Sequence, residues 1–200
     1  MEHTPAVVRD GRETRERTAP DPPPPLVLNY PAGDVVVISG LPGSGKSTLI
    51  RRAVPDGVGR IDSQTVRDRW DAGVAGRLLP YAAYRPLVRV AHYLGLLRAL
   101  RTGRSLVVHD CGVLPWVRGW IAWSVRRGGR GMHLVVLDVP PGTALDGQAA
   151  RGRTVSRYAF ARHRRAVGRL LAAAADGRTR FPVTVLDRGA ADRVRAVRFE

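Results

Sequence analysis

The sequence predicts an α/β fold: a three-layer sandwich around a mostly parallel five-stranded sheet, with a small helical lid. Two observations carry this. From Asp34 onward, short valine-rich runs alternate with stretches long enough for a helix, the pattern that right-handed crossovers between parallel strands produce. The runs are also continuously apolar, as strands covered on both faces are. Three of them end in an acid before a loop, at Asp62, Asp110 and Asp187. In open parallel sheets ligands bind at the carboxyl ends of the strands, so Asp62 and Asp110 are expected to gather beside the loop after the first strand.

Strands are expected at 35–39, 58–62, 106–110, 134–139 and 183–187, the second being the weakest. Helices are expected to start near Ser47, Thr65, Ala82, Pro115, Thr143, Val155 and Ala190. Residues 1–30 are charged and proline-rich, with four successive prolines at 22–25, and read as a disordered or extended arm. Residues 31–200 read as one folded domain whose lid occupies about 142–165.

A chain of 200 residues, 44% hydrophobic, can bury a core without disulfide or metal staples. No apolar stretch approaches the ~18–20 residues of a membrane span. The amino terminus is polar and carries acids, unlike a secretory signal. The single cysteine, Cys111, excludes an internal disulfide and a multi-cysteine zinc cluster. A cytoplasmic location is the expectation.

The net charge of +16 invites a nucleic-acid reading. The type of basic residue weakens it, because of 33 Lys and Arg residues only Lys46 is lysine. Such a bias, with abundant Ala, Gly, Val and Pro, fits the codon usage of a GC-rich genome. Nucleic acid is thus an open partner but not the favoured one. The bias also singles out Lys46, since a flexible ammonium differs physically from a planar guanidinium.

That lysine lies in Gly40-Leu41-Pro42-Gly43-Ser44-Gly45-Lys46-Ser47, a full match to G-x-x-x-x-G-K-[ST]. An apolar strand leads in and a helix can open at Ser47. The glycines let successive backbone N–H groups turn towards phosphate oxygens, and the helix start adds partial positive charge. Lys46 is expected to reach the β- and γ-phosphates, Ser47 to ligate Mg²⁺, and Thr48 to assist at the α-phosphate. ATP with Mg²⁺ is therefore the expected cofactor pair, and no Asn-Lys-x-Asp run is present to read guanine.

Asp110 closes the apolar run 105–110 as a Walker B acid would, holding magnesium directly or through water; the alternative is an acid capping the next turn. His109 reads as a packed side chain, and Cys111 as a small buried thiol. Asp62 could take a proton from an acceptor hydroxyl, or could instead cap the next helix with Ser63. Arg67 could hold an acidic acceptor bidentately. Gln148, Arg151, Arg153 and Arg157 fall in a segment where Gly147 and Gly152 offer hinge-like freedom, so arginines there could close over a triphosphate or form a solvated face. Arg162, Arg164, Arg165 and Arg169 read as surface. Trp116, Trp120 and Trp123 recur at helical spacing, more as a stripe packed on the sheet than as a base-stacking platform.

Taken together, residues 35–187 resemble the P-loop kinase branch of the P-loop NTPases, and more narrowly the AAA-type ATP-binding proteins related to polynucleotide kinases, zeta toxins and gluconate kinases. The loop 40–48 carries this most firmly, followed by 107–110 and the lid segment 148–157. The resemblance implies that lid arginines contact nucleotide phosphates, which supports Arg151 and Arg153. It also implies an aspartate three residues before an arginine after the second strand. Here Gln64 holds that place relative to Arg67, and Asp62 is the nearest acid. The expected activity is transfer of the γ-phosphate to a hydroxyl acceptor, either a small molecule or a nucleic-acid 5′-hydroxyl. In that reading Lys46, Asp62, Arg67, Arg151 and Arg153 are catalytic, and Ser47 and Asp110 hold the metal. Two alternatives stand: a regulatory module that binds or hydrolyses ATP without a small acceptor, and a nucleic-acid-binding protein.

Overall fold

β3 (Val35–Gly40) is buried at all six positions, as a central strand covered on both faces is. The structure, a computed structural model, describes residues 6–8, 23–62, 81–110, 114–150, 152 and 155–200. Around β3 these residues form β1 (Ala6–Val8), β2 (Leu26–Tyr30), α1 (Lys46–Ala53), β4 (Gly59–Ile61), α2 (Tyr81–Arg101), β5 (Leu106–His109), α3 (Pro115–Arg126) and β6 (Met132–Leu137). There follow α4 (Pro141–Ala149), α5 (Arg157–Ala175), β7 (Val183–Leu186), α6 (Arg188–Arg193) and β8 (Val194–Phe199).

The main sheet runs β1-β7-β6-β3-β5-β4 with every pair parallel. The five expected strands thus share one parallel sheet, and β1 adds a sixth beside β7. Alternate residues of β3 face two separate cores. Val35 and Val37 pack with Leu96 of α2, Ile121 of α3 and Val167 of α5. Val36 and Ile38 pack with Leu49 and Ile50 of α1, Ala190 of α6, and Leu28 and Val197 of the β2–β8 pair. These are the three layers, and each fully buried aliphatic side chain contributes about 1.5–3 kcal/mol.

The stretch expected as an arm differs at two places. Residues 6–8 join the main sheet, and Leu26–Tyr30 pairs in parallel with β8 as a separate two-stranded sheet. Leu28 and Tyr30 lie on one face of β2 and are buried, a period-2 pattern too short to stand out beside four prolines. Burial pushes the Tyr30 phenol up to about 12, against a smaller lowering from its hydrogen bond with Thr184. Its ring lies 4.8 Å from that of His133. His133 Nε2 is in turn 2.7 Å from Asp34, whose other oxygen accepts from Gly131 N–H at 2.7 Å. This polar knot closes the end of the sheet away from the carboxyl ends.

Helix starts match the expected positions within a few residues at α1, α2, α3, α4, α5 and α6. The helix expected near Thr65 lies outside the described residues, as does Cys111. Asp187, the third strand-ending acid, caps α6 by accepting from Ala190 N–H at 2.7 Å. The tryptophan stripe differs from expectation. On α3 the buried face is Val117, Arg118, Ile121 and Val125, Trp120 is only partly buried, and Trp116 and Trp123 are 58% and 56% exposed. Pro115 at the first turn fixes the helix phase, and the aliphatic positions take the core side.

Candidate functional site

Strand β3 delivers Gly40 to the carboxyl edge of the sheet, and Gly45 caps α1, so the glycine-rich run spans the strand-to-helix corner. Lys46, the first helical residue, is only 5% exposed. Its ammonium donates to the carbonyls of Gly40 at 2.9 Å and Leu41 at 2.7 Å, which holds the charge inside the curve of the loop. Leu41 and Ser44 are buried, Pro42 and Gly43 half-buried, and Ser47 and Thr48 follow on the first turn of α1. Ser44 N–H donates to Leu41 O at 3.1 Å. The Ser44 hydroxyl is buried without a hydrogen-bond partner, a polar group whose desolvation a phosphate oxygen would offset.

Helix α4 sits directly on this loop. Gly43 has φ +87°, and a Cβ there would lie 1.9 Å from the carbonyl oxygen of Ala144. A Cβ on Gly147 would lie 2.5 Å from the Gly43 carbonyl oxygen. Gly147 is therefore a packing contact, not the hinge expected of it, whereas Gly152 does adopt φ +60°. A cleft of about 200 Å³ opens beside the loop, lined by Gly43, Ser44, Gly45, Thr48, Gly147, Arg52, Arg188 and Asp192 among others. It is smaller than the roughly 300–1,000 Å³ of whole-ligand pockets, and Lys46, Ser47 and Asp110 are not among the residues that line it. Arg188 pairs with Asp192 at 2.9 Å, and Arg52 donates to Ala191 O at 2.7 Å, tying α1 to α6.

The acids stand where the sheet order puts them. Asp110 N–H donates to Ile38 O at 2.9 Å, so Asp110 sits level with the end of β3. Ile61 is in register with Val108, which places Asp62 across from His109, two strands and about 10 Å from β3. His109 Nδ1 lies 3.3 Å from Asp62 Oδ1. His92 of α2 faces the same pair. Burial pushes its pKa down, the negative charge of Asp62 opposes that, and His109 adds to it. Asp110 Oδ2 accepts from Arg118 at 3.0 Å, with both side chains close to fully buried.

The structure thus brings Lys46, Ser47, Thr48, Asp110 and Asp62 to one end of the sheet. Arg67, Arg151 and Arg153 lie outside the described residues, as do Ser63 and Gln64, so the capping alternative for Asp62 lies there too. Arg157 and the arginines at 162, 164, 165 and 169 are exposed. Sequence reasoning missed Arg118 and Arg188, for which the only signal was position: one helical turn past Pro115, and one residue past a strand-ending acid.

The residues present fit a magnesium–phosphate group in donor type: the Ser47 hydroxyl and the Asp110 carboxylate are hard oxygen donors, and the Ser44 hydroxyl is buried without a hydrogen-bond partner. Among the described residues no group of three or more His, Cys, Asp or Glu gathers as a metal cage. None of the described helices is long and apolar enough to cross a membrane.

A model of the AAA domain family matches residues 35–176. No protein of curated function matches. Among solved structures, a candidate kinase from Chloroflexus aurantiacus is similar at 13% identity and a TM-score of 0.52, over 80% of this chain and 88% of that one. A gluconokinase from Sinorhizobium meliloti is 15% identical with a TM-score of 0.46, over 82% and 93%. In the PezAT toxin–antitoxin system of Streptococcus pneumoniae the similar chain is 15% identical with a TM-score of 0.47; 62% of this chain matches 53% of that one, so this chain spans about half its length. A phosphate loop between a central strand and its helix, on a parallel sheet of this order, completes the evidence: the chain belongs to the AAA domain family and has the fold of the P-loop kinase-like NTPases.

Proposed function

We propose that the protein binds ATP with Mg²⁺ and transfers the γ-phosphate to a hydroxyl acceptor. The observation that carries this is the buried Lys46 ammonium, held by two carbonyls inside the curve of the glycine-rich loop. Those carbonyls hold the ammonium within the G-x-x-x-x-G-K-[ST] loop, beside the start of α1, where a triphosphate would bind.

Lys46 and the loop amides hold the β- and γ-phosphates, while the Ser44 hydroxyl completes its bonding on a phosphate oxygen. Ser47 and Asp110 are the residues that would hold magnesium, which would supply neutralisation of the phosphate charge. Arg118 occupies one oxygen of Asp110 and leaves the metal role to the other. Asp62, oriented by His109, accepts the proton of the acceptor hydroxyl. Arg67 positions the acceptor, and Arg151 and Arg153 offset charge on the transferring group. Asp62 and the phosphate loop are separated by the end of β5, so the acceptor would lie over the carboxyl end of that strand. Most of the rate would come from placement and charge neutralisation. A cytoplasmic enzyme fits this cofactor.

Gln64, in the place of an acid, favours one other reading, an ATP-dependent switch with slow hydrolysis. The test is magnesium-dependent transfer of γ-label to a panel of hydroxyl acceptors that includes 5′-hydroxyl oligonucleotides, wild type against Lys46→Ala. Label on one acceptor, lost in the variant, supports the kinase. ATP binding with no transfer overturns it in favour of the switch.

A further inference from the structure

The side chain of Gln148, the penultimate residue of α4, is only 7% exposed and spends both ends of its carboxamide on backbone. Its Nε2 donates to Pro42 O at 3.2 Å, and its Oε1 accepts from Val155 N–H at 3.2 Å. One end therefore holds the phosphate loop, and the other holds Val155, two residues before α5. Neither bond is satisfied by a neighbour in sequence, since Pro42 is 106 positions away.

The bond to Pro42 matters because of peptide geometry. In a planar trans peptide the C=O and the following N–H point in opposite directions, and no peptide among the described residues is cis. Holding Pro42 O towards Gln148 thus turns Gly43 N–H away from Gln148. Gly43, at φ +87°, is a glycine with free access to the flipped alternative, so nothing in its own chemistry fixes that amide. The next one is already fixed, because Ser44 N–H donates within the loop. The close seat of Gly43 against Ala144 and Gly147 brings the carboxamide within reach.

We propose that Gln148 is a positioning residue for the phosphate loop: its carboxamide locks the Pro42–Gly43 peptide so that Gly43 N–H is presented to phosphate. This deepens the proposed function and rests on it for the identity of the ligand. The amide then meets the triphosphate without first reorienting, and affinity is gained before any chemistry.

Two variants separate the bonds. Gln148→Glu keeps an acceptor for Val155 N–H but cannot donate to Pro42 O, and Gln148→Leu loses both. ATP affinity is measured by equilibrium titration of the full chain, with the thermal midpoint of each protein and the ¹⁵N-amide resonance of Gly43 recorded without nucleotide. Both variants are expected to bind ATP about tenfold more weakly, with the Gly43 resonance displaced in each. Wild-type affinity in Gln148→Glu would overturn the proposal. So would variants that melt earlier yet bind ATP normally, because that is a merely structural role. If the wild type itself binds no ATP, the proposed function falls. The Gly43 resonance then decides the lock alone, and an unmoved signal in both variants overturns it.

Discussion

Arg118 Nη1 lies 3.0 Å from Asp110 Oδ2, in a pair whose side chains are 6% and 11% exposed. The arginine comes from the core face of α3, and the aspartate from the end of β5 beside the phosphate loop. Removing the cation leaves a carboxylate buried without compensation, so Arg118→Met is expected to cost about 3 kcal/mol. Adding Asp110→Asn removes the orphaned charge and should restore much of that loss. Urea denaturation of the four proteins of this cycle checks it; additive single effects would mean the pair is not coupled.

Lys46 is predicted to resist the most conservative replacement. Lys46→Arg puts a planar fork where two carbonyls already take a compact ammonium. ATP turnover should fall by roughly 10²–10³-fold, although the protein remains folded. In a chain otherwise built on arginine, a variant with turnover near wild type would show that the lone lysine is incidental.

Gly43→Ala is expected to damage the site through backbone alone. Left-handed φ costs a residue with a Cβ about 1–2 kcal/mol, and this Cβ would also drive into the Ala144 carbonyl. Helix α4 must shift off the loop or the loop must deform. The observable is weaker ATP binding together with a lower thermal midpoint. Unchanged binding would mean that α4 does not seat on the loop in solution.

What could be read from sequence was whatever carries a local signature. The loop 40–48 and Asp110 were legible because strand, glycines, lysine and acid are contiguous in the chain. The five central strands were legible because burial on both faces leaves unbroken apolar runs. β1 and β2 were not, since three and five residues beside proline and charge give no period to detect. Arg118 was not, because one buried arginine among so many looks like any other, and only its partner across the fold marks it. Gln148 was visible merely as a member of the lid. Its role at the loop depends on two bonds to residues far away along the chain or beyond the helix end.

The last prediction concerns pH. Burial pushes the His92 pKa below its ordinary 6.5; Asp62 opposes the shift and His109 adds to it. The unfolded chain therefore binds more protons than the folded one just below pH 6.5, and stability must fall as pH falls through that range. The contribution is fully present above 6.5 and is lost progressively down to the folded value. His92→Gln removes it. The stability difference between wild type and variant should decline below pH 6.5 by at most about 1.4 kcal/mol per pH unit, read from urea midpoints at constant ionic strength. A rise in that difference on acidification would mean that the negative charge of Asp62 outweighs burial. His92 would then be charged in the folded protein and able to bear on the same carboxylate that the acceptor hydroxyl is proposed to meet.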